Sequence, residues 1–100
     1  MITEIATITI DPARAAEFEA AVARAAPHFR AAAGCHGMAL ERVIEDAAIY
    51  KLVVRWDSVE HHMVTFRESA GFRAWREHAG PFFVAPPVVI HTTAAAAYFQ

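Results

Sequence analysis

Six histidines are the residues of this chain best suited to moving protons near neutral pH, because an imidazole titrates close to it. Two stand where chemistry can use them. His62 and His78 each flank an apolar helical stripe that must turn inward. Tyr50, Trp56, Phe66, Trp75 and Phe82 supply aromatic walls, and Arg55 or Arg76 supplies a cation for an anionic group. A base beside aromatic walls is equipment for taking a proton from a flat, electron-rich molecule. His62 and His78 are therefore the expected catalytic residues. Tyr50, Trp56, Phe66, Trp75, Arg76 and Phe82 are the expected substrate-binding set.

Each of these residues also has a plainer reading. His61 and His62 are adjacent, so they lack the i, i+4 spacing of two metal ligands on one helix face, and they read equally as an exposed pair. His78 reads as a histidine at the core edge with a backbone partner, and Trp75 and the phenylalanines as simple core. Trp56 reads as a structural corner. His36 lies in a turn and reads as solvated, and His91 depends on which face of its strand it occupies. Cys35 has only His36 as a neighbouring activator and reads as inert. Ser58 and Ser69 read as helix caps. No glycine-rich phosphate loop, metal-ligand cluster or pair of catalytic carboxylates is present, so no metal and no cofactor is expected.

The elements that must position these residues follow from periodicity. Ile2 to Ile10 alternates, with Ile2, Glu4, Ala6, Ile8 and Ile10 on one side and Thr3, Ile5, Thr7 and Thr9 on the other, which predicts a strand. Asp11-Pro12 opens a helix with a cap and a proline in its first turn. Its stripe is Phe18, Val22, Ala25, Ala26 and Phe29. Pro27 is expected to break or kink it, leaving a short piece to Ala33. Gly34 to Gly37 is a turn, Met38 to Ile44 a second strand, Glu45-Asp46 a polar turn, and Ile49 to Trp56 a third strand. Asp57-Ser58 caps a second helix with Val59, Met63 and Phe66 inward. Ser69 to Gly71 breaks it, and a third helix turns Phe72, Trp75, Ala79 and Phe82 inward. Pro86-Pro87 precedes a last strand, Val88 to about Tyr98. The order β-α-β-β-α-β predicts an α+β, ferredoxin-like antiparallel sheet with helices on one face.

The chain has 100 residues, which is one domain spanning 1–100. It is 56% hydrophobic and 20% charged, against about 45–50% and about 25% in ordinary domains. Such a chain holds more apolar surface than a small monomer hides easily, so a partner surface is expected. The net charge of −2 provides no basic field, which argues against nucleic acid. One cysteine excludes an internal disulfide. No run approaches the ~18 apolar residues of a membrane span, and Met1 to Glu4 lacks the basic start of a signal peptide. The expected location is cytoplasmic, with no membrane partner.

Four segments carry a family resemblance. Gly34-Cys35-His36-Gly37 resembles the turn that opens the second strand of the antibiotic biosynthesis monooxygenase (ABM) family. Trp56-Asp57-Ser58-Val59-Glu60 resembles its strand-to-helix corner, Ser69-Ala70-Gly71-Phe72 its later helix start, and Pro86-Pro87 to His91 its final strand. The resemblance implies a ferredoxin-like protomer that pairs into a dimeric α+β barrel. It also implies a cofactor-independent monooxygenase acting on an aromatic or quinol-like small molecule with dioxygen. Departures narrow this. The haem-degrading branch has Asn, Trp and His where this chain has Thr7, Phe66 and Arg76, so haem degradation is not expected. A histidine common in the family falls on Thr65. The alternatives are a non-catalytic small-molecule binding domain on the same dimeric scaffold, or an isomerase or decarboxylase.

Overall fold

The computed structural model describes residues 1–100. Its strands are β1 (Ile2–Thr9), β2 (Cys35–Arg42), β3 (Ile49–Trp56) and β4 (Val88–Thr92). Its helices are α1 (Ala15–Arg30) and α2 (Ala70–Ala79), with a π-helical turn at His61–Phe66 before α2. The strands form one sheet in the order β2-β3-β1-β4, every neighbour antiparallel. This is the α+β, ferredoxin-like arrangement. No helix is long and apolar enough to cross a membrane.

Alternation decides which side of the sheet becomes the core. In β1, Glu4, Ala6 and Ile8 are buried. Register places Val54, Leu52 and Tyr50 of β3 opposite them on the same face. Phe18, Ala21, Val22, Ala25 and Phe29 of α1 close over that face, with Trp75 and Ala79 of α2 beside them. Phe29 meets the edge of Trp75 with ring centroids 5.4 Å apart and lies 4.7 Å from the Phe66 ring. Each large side chain buried here contributes about 1.5–3 kcal/mol of transfer free energy.

Several boundaries differ from expectation, each for a physical reason. Pro27 does not break α1. It sits in the last turn, where its fixed φ is already helical, and its carbonyl accepts from Ala31 N–H at 3.0 Å. The helix then ends at Arg30, short of Ala33. β2 begins at Cys35 rather than Met38, because a bulge between Cys35 and Gly37 lets the turn itself join the ladder opposite Trp56 and Arg55. The second helix is largely a π turn, with Arg67 N–H donating to the His62 carbonyl at 3.1 Å. Phe82 lies in a separate 3₁₀ turn, Gly80–Phe82, and not on the face of α2. β4 stops at Thr92, well before Tyr98. Thr92 pairs with Thr3, so two residues later its partner strand has run out. Residues 93–100 follow without regular structure, with Tyr98 and Phe99 exposed.

The other face of the sheet carries no helix. Ala39, Val53, Ile5 and Ile90 stand in cross-strand register there, one apolar row spanning all four strands. The row beside it, Glu41, Lys51, Thr7 and Val88, is mostly polar, and Lys51 Nζ donates to Thr7 Oγ1 at 2.7 Å.

Candidate active site

Glu4 is the one charged side chain in the buried alternation of β1. It is 4% exposed. Burying a carboxyl among apolar side chains is costly unless polar groups meet it, and two do. The indole N–H of Trp56, at the end of β3, donates to Glu4 Oε1 at 3.0 Å. Nε2 of His62 lies 3.3 Å from the same oxygen. His62 comes from the π turn, stacks on the Trp56 ring at 5.4 Å and is itself buried. Its other nitrogen, Nδ1, lies in a hydrogen bond of 2.9 Å with Nε2 of His91. His91 is the β4 residue registered directly opposite Glu4. Three elements thus deliver a chain of polar groups, Glu4–His62–His91, into one apolar layer.

Their electrostatics are unusual. Burial pushes the Glu4 carboxyl up to about 7, against smaller opposing effects from the Trp56 hydrogen bond and the Arg67 charge. Burial drives His62 down to about 4, helped by His91 and Arg67. The ion-pair distance between them therefore joins a neutral imidazole to a carboxyl that is half protonated at neutral pH. A carboxylate beside Nε2 favours the His62 proton on that atom. Nδ1 is then the acceptor for His91 Nε2–H.

A cavity of about 190 Å³ opens against this chain. Glu4 and His62 line it at the sheet. Phe29, Phe66, Phe72 and Trp75 form its aromatic wall, Ala6, Ile8, Leu52 and Val89 its floor on the sheet, and Arg67, Arg76, Pro86 and Pro87 complete it. Both arginines are largely exposed, so they present charge where the cavity meets solvent. An apolar cavity of ~150 Å³ holds benzene, and drug-sized ligands need ~300 Å³ or more. The space therefore suits one aromatic ring. A larger depression, about 470 Å³, lies between the end of α1 and β2 beside Cys35 and His36. No buried polar group converges on it: His36 is exposed and binds Asp57 Oδ1 at 2.6 Å, and burial raises the Cys35 thiol, which keeps it protonated.

Of the residues named from sequence, His62, Phe66, Trp75 and Arg76 come together on the cavity. Trp56 lies behind it, fully buried, as the partner of Glu4 and His62. The structure places the others elsewhere. His78 lies half-buried on α2, 6.3 Å from the ring of His28 and off the cavity. The Tyr50 ring is buried beside Phe18, and its hydroxyl donates to Glu19 Oε2 at 2.6 Å. Phe82 packs on Phe18 under the guanidinium of Arg14. Arg55 is exposed on the helix-free face, opposite Thr3. His61 separates from its neighbour, with Nδ1 on the Ser58 hydroxyl at 2.7 Å. Sequence does not single out Glu4, and it makes His91 depend on the face of its strand, which the β1–β4 register decides by setting it opposite Glu4 and in reach of His62. The legible signal for Glu4 was a lone carboxylate in an apolar alternation.

The model of the family described as antibiotic biosynthesis monooxygenase matches residues 1–78. A crystal structure of a Bordetella bronchiseptica protein carrying that family description is 50% identical, with a TM-score of 0.92, covering 95% of this chain and 97% of that one. One from Caulobacter crescentus CB15 is 26% identical with a TM-score of 0.80, covering 95% and 90%. SnoaB from Streptomyces nogalater, a cofactor-independent oxygenase, shares the fold at a TM-score of 0.79 and 20% identity, covering 99% and 97%. The uncharacterized protein YczJ of Bacillus subtilis is 31% identical over 91 residues, which is 91% of this chain and 96% of YczJ.

Proposed function

Because this chain belongs to the antibiotic biosynthesis monooxygenase family, we propose that it is a cofactor-independent monooxygenase. Its substrate is an aromatic or quinol-like small molecule, held in the cavity beside Glu4 and His62 and oxidised by dioxygen. The observation that carries this reading is the pairing of a one-ring aromatic cavity with a buried proton-accepting chain. Such oxygenation needs a group to take a phenolic proton, so that the electron-rich anion can reduce dioxygen, and walls that keep water from the radical pair. The reaction balances with no external reductant: a hydroquinone and dioxygen give a hydroxyquinone and water. Arg67 and Arg76 would draw in and retain the anionic form.

The protein works as a homodimer in this reading. The apolar row Ala39, Val53, Ile5 and Ile90 is the surface that a second copy covers.

Oxygen uptake over a panel of hydroquinones and anthrones tests the function. Uptake with single-ring quinols is expected, with weaker uptake for tricyclic anthrones, which exceed the cavity. His62→Ala is expected to lower the rate by roughly 100-fold, and by more than His78→Ala does. A wild-type protein that consumes no oxygen with any of them overturns the reading.

A further inference from the structure

We propose that Glu4 is the proton-accepting catalytic residue of this site, and that Trp56, His62 and His91 are positioning residues that hold it. The inference rests on the oxygenase reading and assigns the proton within it. Glu4 is the only carboxylate on the cavity. Its Oε1 is occupied by the Trp56 N–H and faced by His62 Nε2, which fixes the carboxyl against the cavity wall.

Glu4 is faced by groups from several packed elements. β3 contributes the neutral Trp56 indole, and β4 contributes His91 at the opposite register position. The π turn contributes His62, and Arg67 follows it. From α2 comes Arg76, on the same cavity, while α1 contributes only Phe29 to it. From β2 comes the Cys35 thiol, whose own pKa is raised in part by Glu4. No cation is paired with the carboxyl at salt-bridge distance once His62 is neutral.

That neutrality matters. An imidazolium at 3.3 Å would pull the carboxyl down and abolish its basicity, whereas a neutral ring positions it without doing so. His62, driven down to about 4, is a weak base for a phenolic proton, and Glu4, raised to about 7, is matched to neutral pH.

The steps close on themselves. The Glu4 carboxylate takes the quinol O–H proton, and the quinolate passes one electron to dioxygen. Superoxide and semiquinone join, forming a ring C–O bond, and the peroxide anion takes the proton back from Glu4. Glu4 then removes the ring C–H proton as the C=O forms and the O–O bond breaks. The departing hydroxide takes that proton and leaves as water. Glu4 ends ionised, as it began.

The test combines Glu4→Gln with the pH profile of oxygen uptake on a hydroquinone. Glutamine keeps the shape and still accepts from Trp56. The wild-type kcat/KM is expected to climb tenfold per pH unit up to about 7 and then level. Glu4→Gln is expected to lower kcat by roughly 100-fold or more and to erase that limb, with KM changed by only a few-fold. Infrared difference spectra need no turnover: a carboxylic acid band titrating near 7 is expected in the wild type and absent from Glu4→Gln. A folded Glu4→Gln variant with wild-type rate and limb overturns the assignment, as does a Glu4 band that titrates near 4.5. A wild type that takes up no oxygen overturns the oxygenase reading, and Glu4's role in that reaction with it.

Discussion

Glu4 and His62 respond to pH in opposite directions over overlapping ranges, and the overlap hides both responses. The folded protein holds a proton on Glu4 up to about pH 7, while the unfolded chain releases it near 4.5. That contribution to stability is complete below 4.5 and is lost as pH rises to 7. For His62 the signs reverse. The unfolded chain takes a proton near 6.5 and the folded protein refuses it until about 4. Its contribution is complete above 6.5 and is lost as pH falls to 4. At about 1.4 kcal/mol per pH unit, each is on the order of 3 kcal/mol. Between 4.5 and 6.5 they cancel, so urea midpoints of the wild type are expected to change little there. Glu4→Gln removes one partner, and its midpoint is expected to rise from about pH 4 to 6.5. His62→Gln leaves the other, and its midpoint is expected to fall from about 4.5 to 7. Midpoints of both variants that track the wild type across this range would refute the opposing shifts.

At the scale of elements, the corner between α1 and β2 sets the entry to the π turn. Gly34 has φ 79, the only positive φ in the chain, and its carbonyl accepts from Asp57 N–H at 2.8 Å. A Cβ there would lie 2.5 Å from His61 Cδ2. Gly34→Ala therefore meets both a strained backbone, costing about 1–2 kcal/mol, and the side chain that precedes His62. Its Tm is expected to drop by at least about 5 °C, from about 4–8 °C per kcal/mol in a domain of this size. Calorimetry decides it, and an unchanged Tm would show that the corner relaxes freely. The ST-capped start of α2 is of the same local kind: Ser69 Oγ accepts from Phe72 N–H at 3.3 Å, as its sequence neighbours suggest.

The whole molecule raises the matter of the helix-free face. Ala39, Val53, Ile5 and Ile90 form a continuous apolar row, with Ile90 53% exposed. Residues 93–100 leave the sheet edge nearby, carrying Tyr98 and Phe99 into solvent. A homodimer through this face would bury the row, and light scattering is expected to give about 22 kDa, twice the 11.0 kDa chain. Val53→Glu puts a charge in the middle of the row and is expected to return the mass to 11.0 kDa with the protomer fold intact by circular dichroism. A wild type that stays at 11.0 kDa at micromolar concentration would remove the dimer from the reading.

Much of this architecture was legible in the chain, because it depends on neighbours close in sequence. The alternation of Ala6 and Ile8, the stripe from Phe18 to Phe29, and the caps at Asp11 and Ser69 each encode one element and its buried face. Together they prescribe the element order and the one-sided sheet. Helix and strand ends were less legible, since they depend on where a partner runs out, as β4 does at Thr92. The site was only half legible. His62 and His78 look alike in sequence, each beside an apolar stripe, and only the packing sends one to the cavity and leaves the other against His28. Glu4 meets Trp56 across 52 residues of chain, and His91 reaches Glu4 only through the β1–β4 register. Periodicity carries no information about such pairings. They arise when strands distant in sequence lock side by side, and burial within that layer is what moves the carboxyl and the imidazole away from their ordinary chemistry.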